Sequence, residues 1–166
     1  MKQIRNGIFE TNSSSTHAIV LADKNVPAGP RVDFAIGEFG WEKKILNTTD
    51  EKASYLYTMA CELEGKDVYQ RLYEMLVKYG VDVERSIPPK FGEYGLDNGY
   101  VDHCCDDDAH RFVNQMLSHE HALIRYLFSD QSFVITSNDN LWPDEYNPME
   151  ELSNVDYPCE VFYKGN

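Results

Sequence analysis

A run of polar residues near the start of the chain has the side chains needed to bind an anion and move a proton. Residues 10–16 read E-T-N-S-S-S-T, and His17 follows directly before the apolar stretch A-I-V-L. Backbone N–H groups and small hydroxyls can bind phosphate without formal charge, and histidine titrates near neutral pH. On this interpretation His17 transfers a proton with help from Glu10. The substrate-binding residues would be Asn12, Ser13, Ser14 and Ser15. The alternative is a turn whose Ser, Thr and Asn side chains satisfy the local backbone.

A second group of candidates lies in the sequence Y-V-D-H-C-C-D-D-D-A-H, residues 100–110. Asp102 and His103 could act as a pair in which the carboxylate fixes the imidazole tautomer. The same stretch holds several metal-capable side chains, but zinc sites usually have two separated ligand pairs. Cys159 or His17 would have to supply the second pair, so a divalent metal stays an open question. The alternative interpretation is a helix start with carboxylate caps.

Three shorter motifs carry further candidates. Asn138, Asp139 and Asn140 follow a predicted buried strand, where loops often hold binding groups, although Asn and Asp also form ordinary turns. Glu42, in F-G-W-E-K-K, is either a carboxylate with a tuned pKa or part of an amphipathic edge, and we favour the edge. The H-E-H sequence at 119–121 puts its histidines on different helix faces, which predicts a helix surface.

The composition favours one cytoplasmic domain over residues 1–166. Acidic residues outnumber basic ones by 28 to 15, giving a net charge of -13. Such a surface repels free nucleic acid and attracts basic proteins. The apolar runs are too short to span a membrane, and the first residues lack the apolar segment of a secretory signal. The four cysteines show no disulfide or CxxC spacing, which predicts free thiols in a reducing compartment.

The elements that position these residues follow from hydrophobic periodicity. Strands are predicted at 17–22, 31–36, 81–87, 132–137 and 159–164. Helices are predicted at 50–64, capped by Thr49 or Asp50 and closed by Gly65, and at 66–79, stopped by Gly80. A third helical stretch is predicted to be capped by Asp106 or Asp107, with a break near Ser118. These elements predict an α+β fold, in which a mixed or antiparallel sheet of N- and C-terminal strands packs with about four central helices.

Five of the motifs, taken in order, resemble a family of small uncharacterised proteins from phages and mobile elements of Firmicutes. They are F-E-T-N-S-S-S-T-H-A, G-E-F-G-W-E, K-A-S-Y-L-Y-T, Y-V-D-H and T-S-N-D-N, and they span most of the chain. The resemblance points to the candidates already named as the functional positions. It also suggests a context, because similar small acidic phage proteins include anti-CRISPR inhibitors, some of which disable the guide RNA. The cysteines after Asp102 and His103 depart from the family pattern.

Three functional hypotheses follow. The first is a counter-defence enzyme that cleaves or modifies RNA held by a CRISPR-Cas effector at the Ser/His/Asp site. The second is a non-enzymatic acidic protein that mimics nucleic acid and fills a basic groove of its target. Its contact surface would comprise Asp106, Asp107, Asp108, Glu145, Glu150, Glu151 and Asp156. The third is a phage assembly accessory. A basic host protein or ribonucleoprotein, in the host cytoplasm, is the expected partner of the first two.

Overall fold

The structure is a computed structural model that describes residues 3–4, 15–22, 29–40, 42–84, 89–92, 95–102, 107–138, 152 and 154–164. Its elements are, in chain order, β1 (Gln3–Ile4), β2 (Ser15–Ala22), β3 (Arg31–Asp33), β4 (Glu38–Phe39), β5 (Lys44–Leu46), α1 (Thr49–Glu64), α2 (Val68–Lys78), β6 (Asp82–Glu84), β7 (Phe91–Gly92), β8 (Gly95–Leu96), β9 (Tyr100–Val101), α3 (Asp107–Ser118), α4 (Glu120–Phe128), β10 (Phe133–Asn138) and β11 (Cys159–Lys164).

The central sheet is built from both ends of the chain. Its strand order is β1-β11-β2-β10-β5, and β2 lies in the middle because it pairs antiparallel with both β10 and β11. Strand β5 pairs antiparallel with β10, whereas β1 pairs parallel with β11. The sheet is therefore mixed, and the predicted α+β fold with N- and C-terminal strands and four described helices is confirmed.

The two faces of the sheet contact different parts of the protein. Alternate side chains of β2, such as Ile19 and Leu21, join the large core formed with the helices. Their neighbours Ala18 and Val20 face the other way and pack with Leu152 and Val155. This alternation follows from the two-residue repeat of a strand. Because both faces are covered, β2 reads as a continuous apolar run.

Helix α1 lies at the centre of the helical layer and is buried on nearly all sides. It packs against α2, α3, α4, β3 and β9, and residues 55–61 are all buried. Its N-cap is Thr48, one residue before the predicted Thr49. The Thr48 hydroxyl accepts from the Glu51 N–H, and the Glu51 carboxylate accepts from the Thr48 N–H, forming a capping box. The predicted stop at Gly65 is confirmed.

The remaining predicted elements are close to the observed ones, except for the strands predicted at 31–36 and 81–87. The break near Ser118 separates α3 from α4, and His119 is the N-cap of α4. The strand predicted at 31–36 ends at Asp33, since its partner β6 matches it over only three residues. Beyond it the Phe34 ring is buried against Tyr57. The strand predicted at 81–87 is observed from Asp82 to Glu84, and residues 85–87 lie outside the described part.

No helix within the described ranges combines the length and apolar character needed to cross a bilayer.

Candidate functional site

The motifs G-E-F-G-W-E and Y-V-D-H meet through a short parallel pairing of β4 with β9, in which Glu38 lies opposite Tyr100. The pairing continues one residue further, where the Asp102 N–H donates to the Phe39 carbonyl at 2.8 Å. Gly40 permits this close approach, because a Cβ placed there would lie 2.4 Å from the Asp102 Cβ. Residues some sixty positions apart in the sequence are thus held side by side.

Helix α1 anchors this pair of strands to the core. The Glu62 carboxylate accepts a hydrogen bond from the Val101 N–H at 2.9 Å. The ring of Phe39 meets the ring of Tyr55 edge-on, with centroids 5.3 Å apart. Two successive turns of α1 therefore fix where both motifs lie.

His17 lies directly behind this arrangement and is fully buried. Its Nδ1 is 2.7 Å from the Tyr55 hydroxyl, and the two rings lie 5.7 Å apart between centroids. The hydrogen bond fixes the orientation of the imidazole. With 0% of the residue exposed, His17 has no solvent-facing atom that could receive a proton from a substrate in this conformation.

The sheet brings further polar residues to the same end. Thr136 of β10 lies opposite His17 on one side and Lys44 of β5 on the other, so the three side chains share the helix-facing side. The Thr136 hydroxyl donates to the Glu42 carbonyl at 2.8 Å. At the ends of their strands, Ser15 lies opposite Asn138 in the backbone register.

A pocket of about 170 Å³ opens where these elements converge. Its walls come from β4, β5, β9 and β10, together with Gly40 and Glu42. The described lining residues are Glu38, Phe39, Gly40, Glu42, Lys44, Tyr100 and Thr136. Three of the five motifs line the pocket directly, through Phe39, Tyr100 and Thr136. The other two reach it through a contact, because Tyr55 of K-A-S-Y-L-Y-T packs on Phe39 and hydrogen-bonds to His17.

The charges at the pocket are partly balanced. Lys44 Nζ lies 2.7 Å from a Glu42 carboxylate oxygen. This hydrogen bond, together with the lysine charge, lowers the pKa of Glu42 from its ordinary value. The exposed Glu38 has no ion-pair partner among the described residues. Counting Glu38, Glu42 and Lys44, the lining carries one net negative charge.

The structure brings some of the predicted site residues together, while others lie outside the residues that it describes. His17, Ser15, Asn138, Glu42 and Asp102 come to one end of the molecule. The favoured interpretation of Glu42 as part of an edge agrees with its exposed ion pair, although Glu42 also lines the pocket. The candidates outside the described residues are Glu10, Asn12, Ser13, Ser14, His103, Asp139 and Asn140.

The metal hypothesis has no support within the described part of the chain, where no group of three His, Cys, Asp or Glu side chains could hold a metal ion. Cys104, Cys105 and Asp106 fall outside it. His110 is exposed on α3. His121 lies at a helix surface, as predicted, where its ring meets Tyr79.

Sequence reasoning missed the residues that hold the site together, above all Tyr55 and Thr136. Helical spacing predicts an apolar stripe on α1 made of Ala53, Leu56, Tyr57, Ala60 and Leu63. Tyr55 lies off this stripe, and the all-round burial of the helix brings it against His17. Thr136 was part of a noted motif, but its contact with Glu42 depends on strand register. The sequence signals of a close backbone approach were the glycines, Gly37 and Gly40 on either side of Phe39 and Gly99 directly before β9.

Comparison of the chain with protein-family models, with curated proteins and with solved structures yields no match.

Proposed function

We propose that the protein is a counter-defence inhibitor of the anti-CRISPR kind that acts by binding, as an acidic protein that occupies a basic groove of a Cas effector. The observation that carries this proposal is the charge pattern of the surface. The chain has 28 acidic and 15 basic residues, and a strongly negative surface attracts a basic partner and speeds the encounter.

The ion pairs leave this excess of negative charge in place. Exposed cations lie against carboxylates, as in Arg31–Glu84, Lys44–Glu42 and Lys78–Glu120. Each such pair cancels one positive and one negative charge locally, so the surplus carboxylates remain. Exposed carboxylates such as Asp67, Glu74, Asp97, Asp107 and Asp156 then set the sign of the potential over the described surface.

The resemblance of five motifs to small proteins of phages supports a target in the host cytoplasm. A Cas effector with its guide RNA fits this role, since its nucleic-acid channel is positively charged. An acidic occupant of that channel would exclude the target DNA. Inhibition would then require one inhibitor molecule for each effector.

The test compares two variants that change the net charge equally. Asp107→Asn with Asp156→Asn alters the acidic surface predicted from the sequence, whereas Asp67→Asn with Glu74→Gln alters the region of α2. Affinity for an effector–guide complex would be measured over a range of NaCl concentrations. We expect binding that weakens steeply with salt, inhibition without RNA cleavage, and a larger loss for the first variant. Binding that is absent, or that is independent of salt, would contradict the proposal.

A second candidate, cleavage of the bound RNA, is favoured by one observation. The register places Ser15 opposite Asn138, two residues from His17, so two of the predicted substrate-binding segments leave the sheet together. The burial of His17 weighs against it. Guide RNA incubated with the protein, with and without EDTA, and resolved on a denaturing gel decides between the two. Shortened RNA would replace the binding proposal with the enzymatic one, and the EDTA lane would report on metal.

A further inference from the structure

We infer that the pocket between β4, β5 and β9 binds the guanidinium group of an arginine side chain on the basic partner. This inference rests on the proposed function and names the group that the partner presents to the pocket.

The volume of the pocket fits a single side chain. Pockets for drug-sized ligands usually measure about 300–1,000 Å³, whereas this one measures about 170 Å³. It is therefore too small to enclose a nucleotide. An arginine reaches such a pocket on a long stem while its backbone stays on the partner's surface.

The charge of the pocket favours a cation. Glu38 and Glu42 line it, and Lys44 is the one cation among its described lining residues. A phosphate would meet a net negative lining and gain nothing from it. A guanidinium would neutralise the lining and donate to the carboxylate of Glu38.

The aromatic walls favour arginine over lysine. Tyr100 and Phe39 both line the pocket, and Tyr100 as a whole residue is 37% exposed. A planar guanidinium stacks on an aromatic face while its edge donates to carboxylates, which an ammonium group cannot do equally well. Phe39 is held in place by its edge-on contact with Tyr55, so this wall exists before the ligand arrives.

Lys44 serves as an internal competitor for the same site. Its ammonium group is bound to Glu42 at 2.7 Å, but its side chain is 51% exposed and can swing into solvent. An arriving guanidinium would replace this contact. Removing the charge of Lys44 should therefore strengthen guanidinium binding. On a non-specific acidic surface, the removal of any other exposed lysine would have the same effect.

The test uses capped arginine (N-acetyl-arginine amide) as the probe and capped citrulline as its neutral isostere. The probes are titrated into the full chain, and amide NMR shifts report the site. We expect millimolar binding of arginine that shifts the amides of Tyr100 and Thr136, with much smaller shifts from citrulline. Glu38→Gln should weaken binding about two- to fivefold and Lys44→Met should strengthen it by a similar factor, the range of exposed ion pairs.

Matched controls separate the pocket from general charge. Glu74→Gln and Lys66→Met make the same changes in net charge at exposed positions that do not line the pocket, and they should leave the affinity unchanged. Equal shifts from citrulline, no shift at the pocket, or equal effects of pocket and control variants would overturn the inference. Because the titration needs no effector, its failure would leave the proposed function standing. Failure of effector binding would in turn leave the titration result unaffected.

Discussion

Lys52 is a single buried lysine outside the candidate site, and its contacts should make the stability of the fold depend on pH. The side chain is 1% exposed, and Nζ donates to the carbonyls of Ser129 and Ser132 at 2.9 and 3.0 Å. Burial lowers the pKa of Lys52 to about 8, opposed by the charge of Asp130. Helix α1 is thereby tied to the turn between α4 and β10.

The stability of the protein should therefore depend on the charge of Lys52. An unfolded lysine titrates near pH ~10.4, so between about pH 8 and 10 the unfolded state holds more protons and the free energy of unfolding rises with pH. Relative to Lys52→Met, the wild type should gain about 2 kcal/mol between pH ~7.5 and ~9.5. Urea unfolding of both proteins at the two pH values measures this gain.

The difference between wild type and Lys52→Met is free of the pH dependence that other titratable groups contribute to stability. Burial raises the pKa of Cys61 to about 12, so the thiol favours the folded state less as the pH rises. Cys61 is present in both proteins, and its contribution drops out of the difference. A constant difference between wild type and Lys52→Met across this range would show that Lys52 titrates normally in the folded protein.

At the scale of an element, the start of α1 depends on its capping box. Thr48→Ala removes the hydroxyl that accepts from the Glu51 N–H, and should lower the free energy of unfolding by about 1 kcal/mol. Asn47→Ala is the matched control, because Asn47 is exposed and only its backbone N–H bonds to Glu51. Thermal or urea unfolding should leave the control within about 0.5 kcal/mol of wild type. Equal losses in the two variants would contradict the assigned cap.

The pairing of β4 with β9 should depend on the absence of a side chain at Gly40. Gly40→Ala places a Cβ against Asp102, which must shift, and should cost about 1–3 kcal/mol. Gly80→Ala is the control, because Gly80 also has a positive φ (+73°, against +154° at Gly40) but open space where its Cβ would lie, so it bears only the backbone cost of about 1 kcal/mol. Urea unfolding should show a larger loss at Gly40. A smaller loss there would mean that the strands can separate at little cost.

The same elements show what the sequence could and could not predict. Local periodicity and caps predicted the helices, the break at Ser118 and the long strands, because these depend on neighbouring residues. The meeting of β4 with β9 depends on a contact across about sixty residues and has no local pattern. His17 was correctly placed at a strand, but its burial under Tyr55 follows from how α1 packs on the sheet, which hydrophobic patterning alone does not determine.

At the scale of the whole molecule, the excess of acidic residues opposes folding. A net charge of -13 concentrated on a compact chain of 166 residues repels itself. The exposed ion pairs, such as Arg31–Glu84 and Arg71–Glu64, offset little of this repulsion, because each contributes about 0–1 kcal/mol. Screening by salt should therefore reduce the repulsion within the folded state by more free energy than it removes from the ion pairs.

Salt should accordingly stabilise the protein while weakening its binding to a basic partner. We expect the urea midpoint to rise when NaCl increases from about 0.02 to 0.5 M, since the Debye length falls well below 10 Å over that range. Urea is used because it is uncharged, and chloride because sulfate also strengthens apolar burial. Repeating the series near pH ~4.5, where many carboxylates are protonated, should shrink the effect. A urea midpoint that falls with NaCl at neutral pH would mean that the ion pairs stabilise the folded state by more than the repulsion destabilises it. The excess carboxylates would then be placed where their mutual repulsion costs little stability.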